Sequence, residues 1–166
     1  MKRSFLPLAV LLPLVLAAAG LSAQQGDEKP APPLSVEAVK VEPSSPAPDT
    51  LCRLSITLRN AGARKASAFE IAVRINGQEL PAYKSRLYLQ PIEPGATGEI
   101  RLFNFWSSET GRPAPPDGKL AVEVTLTRAA WVEKETKDGA ETWTPAGTVE
   151  GLPVSKTVTL TMAKSR

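Results

Sequence analysis

Hydrophobic residues recur at every second position through most of this chain, and that alternation restricts its fold more than any other feature. The clearest case is the segment 51–59, where the side chains of one face are Cys52, Leu54, Ile56 and Leu58. A period of two is the pattern of a half-buried β-strand, whereas an amphipathic helix repeats about every 3.6 residues. No helical stripe of comparable strength follows residue 23. The alternation therefore predicts an all-β protein.

Further alternating segments are separated by turn signals along the sequence. They predict short strands over residues 34–41, 69–75, 78–83, 86–90, 99–106, 120–126 and 154–162. Asn76-Gly77 is a strong hairpin signal, because both residues tolerate the positive φ of a two-residue turn. A phase slip near Ala38 indicates a β-bulge, and Trp106 is expected to join the core or cap a loop. The pattern predicts an antiparallel two-sheet sandwich of seven to eight strands, since a single open sheet would leave apolar faces uncovered.

The first 23 residues have the pattern of a secretory signal peptide. A basic start precedes an apolar run over residues 5–19, and small residues lead to a plausible cleavage site after Ala23. The alternative is an uncleaved membrane anchor. It is disfavoured because the run is shorter than the roughly 20 residues that span a bilayer and contains Pro7 and Pro13. We therefore expect a secreted or periplasmic protein, with no stable membrane insertion after signal cleavage.

The remainder of the chain is predicted to be a tether followed by one domain. Residues 24–33 are polar and rich in proline, which is typical of a flexible tether, and a single domain is expected over residues 34–166. The full chain has a formal charge of +3, and the predicted signal peptide contains two basic residues and no acid. The mature charge would be 18 − 17 = +1. This lacks the clustered basic excess of a nucleic-acid-binding surface, so no nucleic-acid partner is expected.

The chain contains no histidine and a single cysteine, Cys52. The commonest general base is therefore missing, and neither Ser-His-Asp nor Cys-His catalysis is supported. Zinc sites need several Cys or His ligands, and no acidic loop of calcium-binding spacing or glycine-rich phosphate loop is present. We expect no enzyme activity, no cofactor and no metal site. On its apolar face Cys52 is predicted to be a small buried hydrophobe, the alternatives being a free reactive thiol or a bridge between two chains.

A predicted extra β-hairpin near residues 129–147 contains two tryptophans, Trp131 and Trp143. Residues 137–139 suit a three-residue loop that pairs Glu133 with Trp143 and places both tryptophans on one face. A two-residue loop would shift the register and place them on opposite faces. As a pair, Trp131 and Trp143 are the candidate binding residues, for a sugar ring or an apolar side chain of a partner. The alternative is that the two rings staple the hairpin or cover a sheet edge.

A series of turn motifs follows a proline-rich link at residues 42–50. It consists of Asn60-Ala61-Gly62, Asn76-Gly77 and Pro94-Gly95. The stretch 36–106 thereby resembles the CARDB domains, the bacterial cell-adhesion-related members of the immunoglobulin/fibronectin-III-like sandwiches. The resemblance implies an immunoglobulin-like sandwich with an adhesion, spacer, or carbohydrate- or protein-associated role. The inserted segment between Leu126 and the last strand departs from the family pattern.

Together these features predict an exported, non-catalytic binding or adhesion module of the bacterial cell envelope, whose partner is a protein or a glycan. One alternative is a structural spacer or accessory subunit that contacts another envelope protein through a sheet edge. Another is an enzyme with an unrecognised carboxylate site.

Overall fold

The computed structural model describes residues 31–79, 86–108 and 118–163, which all belong to one structural unit, Ala31–Arg166. The predicted signal peptide and residues 24–30 of the predicted tether lie outside the described residues. Pro33, at the end of that tether, accepts a hydrogen bond from the N–H of Ala61 at 2.8 Å. No described residue belongs to a helix that is long and apolar enough to cross a membrane.

Nine strands form in the described part of the chain. They are β1 (Leu34–Glu42), β2 (Leu51–Asn60), β3 (Ala66–Ile75), β4 (Gln78–Glu79), β5 (Arg86–Tyr88), β6 (Thr97–Trp106), β7 (Lys119–Lys137), β8 (Ala140–Thr148) and β9 (Val154–Thr161). The smaller sheet has the order β1-β2-β6. The larger sheet has six strands, with β4-β3-β7-β8 in sequence, β5 also paired with β3, and β9 also paired with β7. All pairings are antiparallel, so the predicted all-β two-sheet sandwich is confirmed.

The core lies between the two sheets and uses the alternating positions of the sequence. Its largest contributions come from β2, β3 and β7, whose fully buried side chains include Leu54, Ile56, Leu58, Phe69, Val73, Ile75, Leu120, Val122, Val124 and Leu126. Removing such apolar surface from water stabilises the fold by roughly 25 cal/mol per Å². The register shift between Val36 and Ala38 confirms the predicted bulge. Cys52 is buried, as predicted, and burial raises the pKa of its thiol.

Trp106 is not a core residue, contrary to one part of the prediction. Along β6 the inward position belongs to Phe105, which is fully buried, and Trp106 is therefore directed outward and is 50% exposed. It pairs with Leu51, another half-exposed residue, on the outer face of the smaller sheet.

Lys156 interrupts the apolar face of β9 and lies where β9 of the larger sheet approaches β1 of the smaller sheet. Its ammonium donates a hydrogen bond to the backbone carbonyl of Glu37, in the β1 bulge, at 2.6 Å. Because β9 borders the larger sheet and β1 borders the smaller one, this bond links the two sheets. A charged residue at that position also makes the edge less suitable for pairing with another chain.

β7 is the longest strand, with 19 residues, and it organises the larger sheet. One of its sides pairs with β3 as far as Trp131. Its other side pairs first with β9, over residues 119–126, and then with β8, over residues 130–137. The predicted hairpin is therefore a continuation of a core strand. Trp131 pairs with Ala66, the first residue of β3, so β7 has no β3 partner beyond Trp131. Residues 132–145 therefore form a two-stranded segment of β7 and β8, which we call the ribbon.

Candidate functional site

The ribbon turns at Asp138 and Gly139, which both have positive φ, 52° and 78°. These are the conformations of a two-residue type I′ turn. Lys137 pairs with Ala140 across it, and each further pair follows in register. The three-residue loop favoured by the sequence is therefore wrong, and the two-residue alternative is correct.

The two tryptophans consequently lie on opposite faces of the larger sheet and form no joint surface. Trp131 packs against the core between the sheets. Trp143 pairs with Lys134 on the outer face of the larger sheet and is 46% exposed. A shift of one residue in register moves a strand's side chains to the other face, so the turn type alone separates the two rings.

Trp131 fills the space beside the loop that joins β2 to β3. The guanidinium carbon of Arg64 lies 5.8 Å from the centroid of the Trp131 ring. A Cβ added to Gly62 would lie only 2.7 Å from the Cη2 atom of the same ring, so glycine is required for this close approach. These contacts favour the structural alternative for Trp131.

Asn60 holds this loop in place, and its side chain is completely buried. Its Nδ2 donates to the carbonyls of Arg64 at 2.7 Å and Ile92 at 3.1 Å, and its Oδ1 accepts from the N–H of Gly62 at 3.0 Å. The sequence identified the Asn-x-Gly motif only as a turn. The alternation of β2 could have revealed this role, because position 60 falls on the inward-facing side of the strand. A polar side chain there lies in the core and needs hydrogen-bond partners.

Trp143 is held by a neighbour that sequence analysis did not find. The ammonium Nζ of Lys65 lies 3.4 Å from the centroid of the Trp143 ring. The same ammonium forms an ion pair with Glu93, and the side chain of Lys65 is only 14% exposed. A cation over an indole face is attracted by the negative potential of the ring. One face of Trp143 is thus occupied, while the rest of the ring remains available to a ligand.

Arg64 and Lys65 attach the base of the ribbon to the sandwich from opposite sides. Nη2 of Arg64 donates to Oε1 of Glu133 at 2.6 Å and to the carbonyl of Ala146 at 2.9 Å. The carbonyl of Lys65 accepts a hydrogen bond from the N–H of Val132 at 2.9 Å. These contacts hold the base of the ribbon, and with it the strand that contains Trp143, against the sandwich.

The CARDB family model matches residues 31–127, which are 97 of the 166 residues. The chain belongs to the CARDB family. The resemblance seen in the turn motifs is thereby confirmed. The match ends one residue after Leu126, so the predicted hairpin at residues 129–147 lies beyond the CARDB match. No curated protein sequence matches the chain.

Two other exposed hydrophobic residues share the outer face of the larger sheet with Trp143. In β5 of the CARDB domain Tyr88 points inward, and its hydroxyl donates to the carbonyl of Leu102 at 3.3 Å. Its neighbours Leu87 and Leu89 therefore face outward, and both are largely exposed. A cleft of about 450 Å³ separates this strand region from residues 99–101 of β6.

Charged side chains of the CARDB domain form ion pairs at the surface, both within one strand and between strands. Lys40 and Glu42 lie 2.6 Å apart, and their hydrogen bond raises the pKa of Lys40 and lowers that of Glu42. Arg74 and Glu123 lie 3.8 Å apart beside a shallow depression of about 220 Å³. No group of three or more side chains able to hold a metal ion occurs in residues 31–79, 86–108 and 118–163.

Proposed function

We propose that the protein is an exported, non-catalytic binding or adhesion module of the bacterial cell envelope. The observation that carries this proposal is the position of Trp143. Its ring is half exposed, rests on Lys65, and belongs to a ribbon that extends past the end of β3. Tryptophan is enriched among residues that dominate binding energies. A ring already fixed in the free protein loses little entropy when a ligand immobilises it.

Export is supported by the order of basic start, apolar run and small residues in the first 23 positions. We propose cleavage after Ala23, which leaves a nearly neutral domain in the periplasm or outside the cell. N-terminal sequencing of the protein recovered from the periplasm or medium of a producing bacterium should begin at Gln24. An intact Met1 on the recovered protein would contradict the proposal.

The non-catalytic part of the proposal is supported by the residue types present. The chain has no histidine and one cysteine, which is buried in the core. A binding role needs only a well-placed surface, and an indole ring provides one both for sugar rings and for apolar side chains. The partner we propose is accordingly a protein or a glycan of the cell envelope.

Binding to isolated cell-envelope fractions tests the role of Trp143. We compare the wild-type protein with Trp143→Ala and with Trp106→Ala, which is a matched control because Trp106 is equally exposed on the other sheet. Trp143→Ala should stay folded and lose binding, while Trp106→Ala should bind like the wild type. Retained binding by Trp143→Ala, measured on a folded variant, would show that this ring is not the contact.

A further inference from the structure

β8 borders the larger sheet, and it has no second strand partner among the described residues. Most of its residues, from Ala140 to Thr148, are exposed. An edge strand presents backbone N–H and C=O groups to which an extended segment of another chain can add. The ribbon therefore offers a backbone surface beside the ring of Trp143.

The turn determines which backbone groups of β8 are already used. In a two-residue hairpin the residues that flank the turn, here Lys137 and Ala140, form a hydrogen-bonded pair. Hydrogen-bonded pairs then recur at every second position along an antiparallel ladder. Thr142 and Thr144 therefore direct their backbone groups toward β7.

The intervening residues Glu141, Trp143 and Pro145 direct their backbone groups toward the open edge. The partner of Pro145 in β7 supports this assignment, since that residue is Val132. The N–H of Val132 points away from β8 and donates to the carbonyl of Lys65. Pro145 has no N–H, so it ends the row of outward donors, which consists of Glu141 and Trp143.

The charge of the ribbon region favours one kind of partner. Residues 129–148 contain four acids and two lysines, a net charge of −2; these are Glu133, Lys134, Glu135, Lys137, Asp138 and Glu141. Glu133 pairs with Arg64 and Glu141 with Lys134. Glu135 and Asp138 form no ion pair with the side chains that the structure describes. A second ribbon at this edge would bring a second net negative charge close to the first, whereas a basic strand would complement Glu141 and the nearby Glu135 and Asp138.

We propose that an extended basic segment of a partner protein adds to the edge of β8 as a further strand. Its backbone bonds to the outward groups of Glu141 and Trp143, and one of its apolar side chains packs on the exposed part of the Trp143 ring. The inference rests on the proposed binding function, and it specifies both the mode of binding and the chemistry of the partner.

The test combines two peptides with two variants of the recovered protein. The peptides are equal in length and alternate Lys with Val or Glu with Val. Glu141→Pro removes one outward N–H and leaves the bonds between β8 and β7. Glu141→Gln removes the same charge but keeps the N–H, so it is the matched control. Hydrogen exchange at the amides of Thr142 and Thr144 reports whether β8 remains paired in each variant.

The Lys/Val peptide should protect the amides of Glu141 and Trp143 from exchange in the wild type and in Glu141→Gln. The proline variant should bind it about tenfold more weakly, because a backbone hydrogen bond is lost and its partner carbonyl is left without a donor. Equal binding by the two variants, a preference for the Glu/Val peptide, or no protection by either peptide would overturn the inference. If the amides of Glu141 and Trp143 became protected without peptide as the protein concentration rises, the edge of β8 would pair with a second copy of the chain. That result would also overturn the inference.

Failure of this inference can be told apart from failure of the proposed function. If Glu141→Pro binds envelope fractions like the wild type while Trp143→Ala does not, strand addition is wrong and the binding module stands. If Trp143→Ala also binds normally, the proposed function fails as well.

Discussion

Replacing Asn60 with alanine is expected to destabilise the CARDB domain by about 3 kcal/mol. The variant loses the three hydrogen bonds that join the side chain to Arg64, Ile92 and Gly62. Each such bond contributes about 1 kcal/mol net. The Ile92 carbonyl keeps a second donor, the N–H of Ala66 at 3.0 Å. Because the bonds to Arg64 and Gly62 are only partly buried, the groups left behind can turn to water, and no large desolvation cost is added.

Urea unfolding followed by tryptophan fluorescence measures the free energy of unfolding of each variant. Gln90→Ala also removes a side-chain amide, but at an exposed position, and should change that free energy by less than about 0.5 kcal/mol. Asn60→Asp keeps the acceptor for Gly62 but faces two carbonyl oxygens with a carboxylate, so it should cost at least as much as alanine at neutral pH. A cost below about 1 kcal/mol for Asn60→Ala would refute the reasoning, because the loop would then hold without its buried amide.

Three further predictions concern single positions. Gly62→Ala should cost about 1–3 kcal/mol in urea unfolding by overpacking against Trp131, and Trp131→Phe should relieve part of that cost; strictly additive effects would contradict the contact. Gly77→Ala should cost about 1 kcal/mol in the same assay, because φ is +77° with open space around it; an unchanged midpoint would disagree. Burial raises the pKa of Cys52, so iodoacetamide should label the thiol only in urea. Stability should also fall as the pH rises through the ordinary thiol range, because the unfolded thiol ionises first, and Cys52→Ala should lack this fall; rapid labelling of the folded protein would argue against the burial.

The sandwich could be predicted because its determinants are local. Alternation assigned Leu54 and Ile56 to the core, and the Asn76-Gly77 dipeptide located a hairpin, since each signal depends only on a few neighbouring residues. The phase of β6 could not be predicted in the same way. Leu54 pairs with Phe103 and the next residue with Arg101, so Leu102 lies in a bulge. That extra residue changes which of the later aromatic side chains face inward.

The register of the ribbon depends on contacts that the local sequence does not contain. Asp138-Gly139 suits both a two-residue loop and the end of a three-residue loop. Only the two-residue register lets Val132 bond to the carbonyl of Lys65 while Trp143 meets the ammonium of the same residue. Lys65 is distant from both in the sequence, and no alternation or spacing rule connects it to them. The sequence could therefore identify Trp143 as a candidate but not its partner or its separation from Trp131.

Leu126 of β7 and Val154 of β9 pair directly, so the chain leaves this ladder and returns to it at one point. The residues between them form an insertion in what would otherwise be a simple β7–β9 hairpin. The CARDB match ends where this insertion begins. When the two ends of an insertion lie together, doubling its length adds only about 0.6 kcal/mol to the entropic cost of closing the loop. New sequence can therefore be accepted near the turn of the ribbon without shifting the β7–β9 register. Ala129, Trp131 and Val149, which lie in or against the core, belong to the sandwich and cannot change as freely.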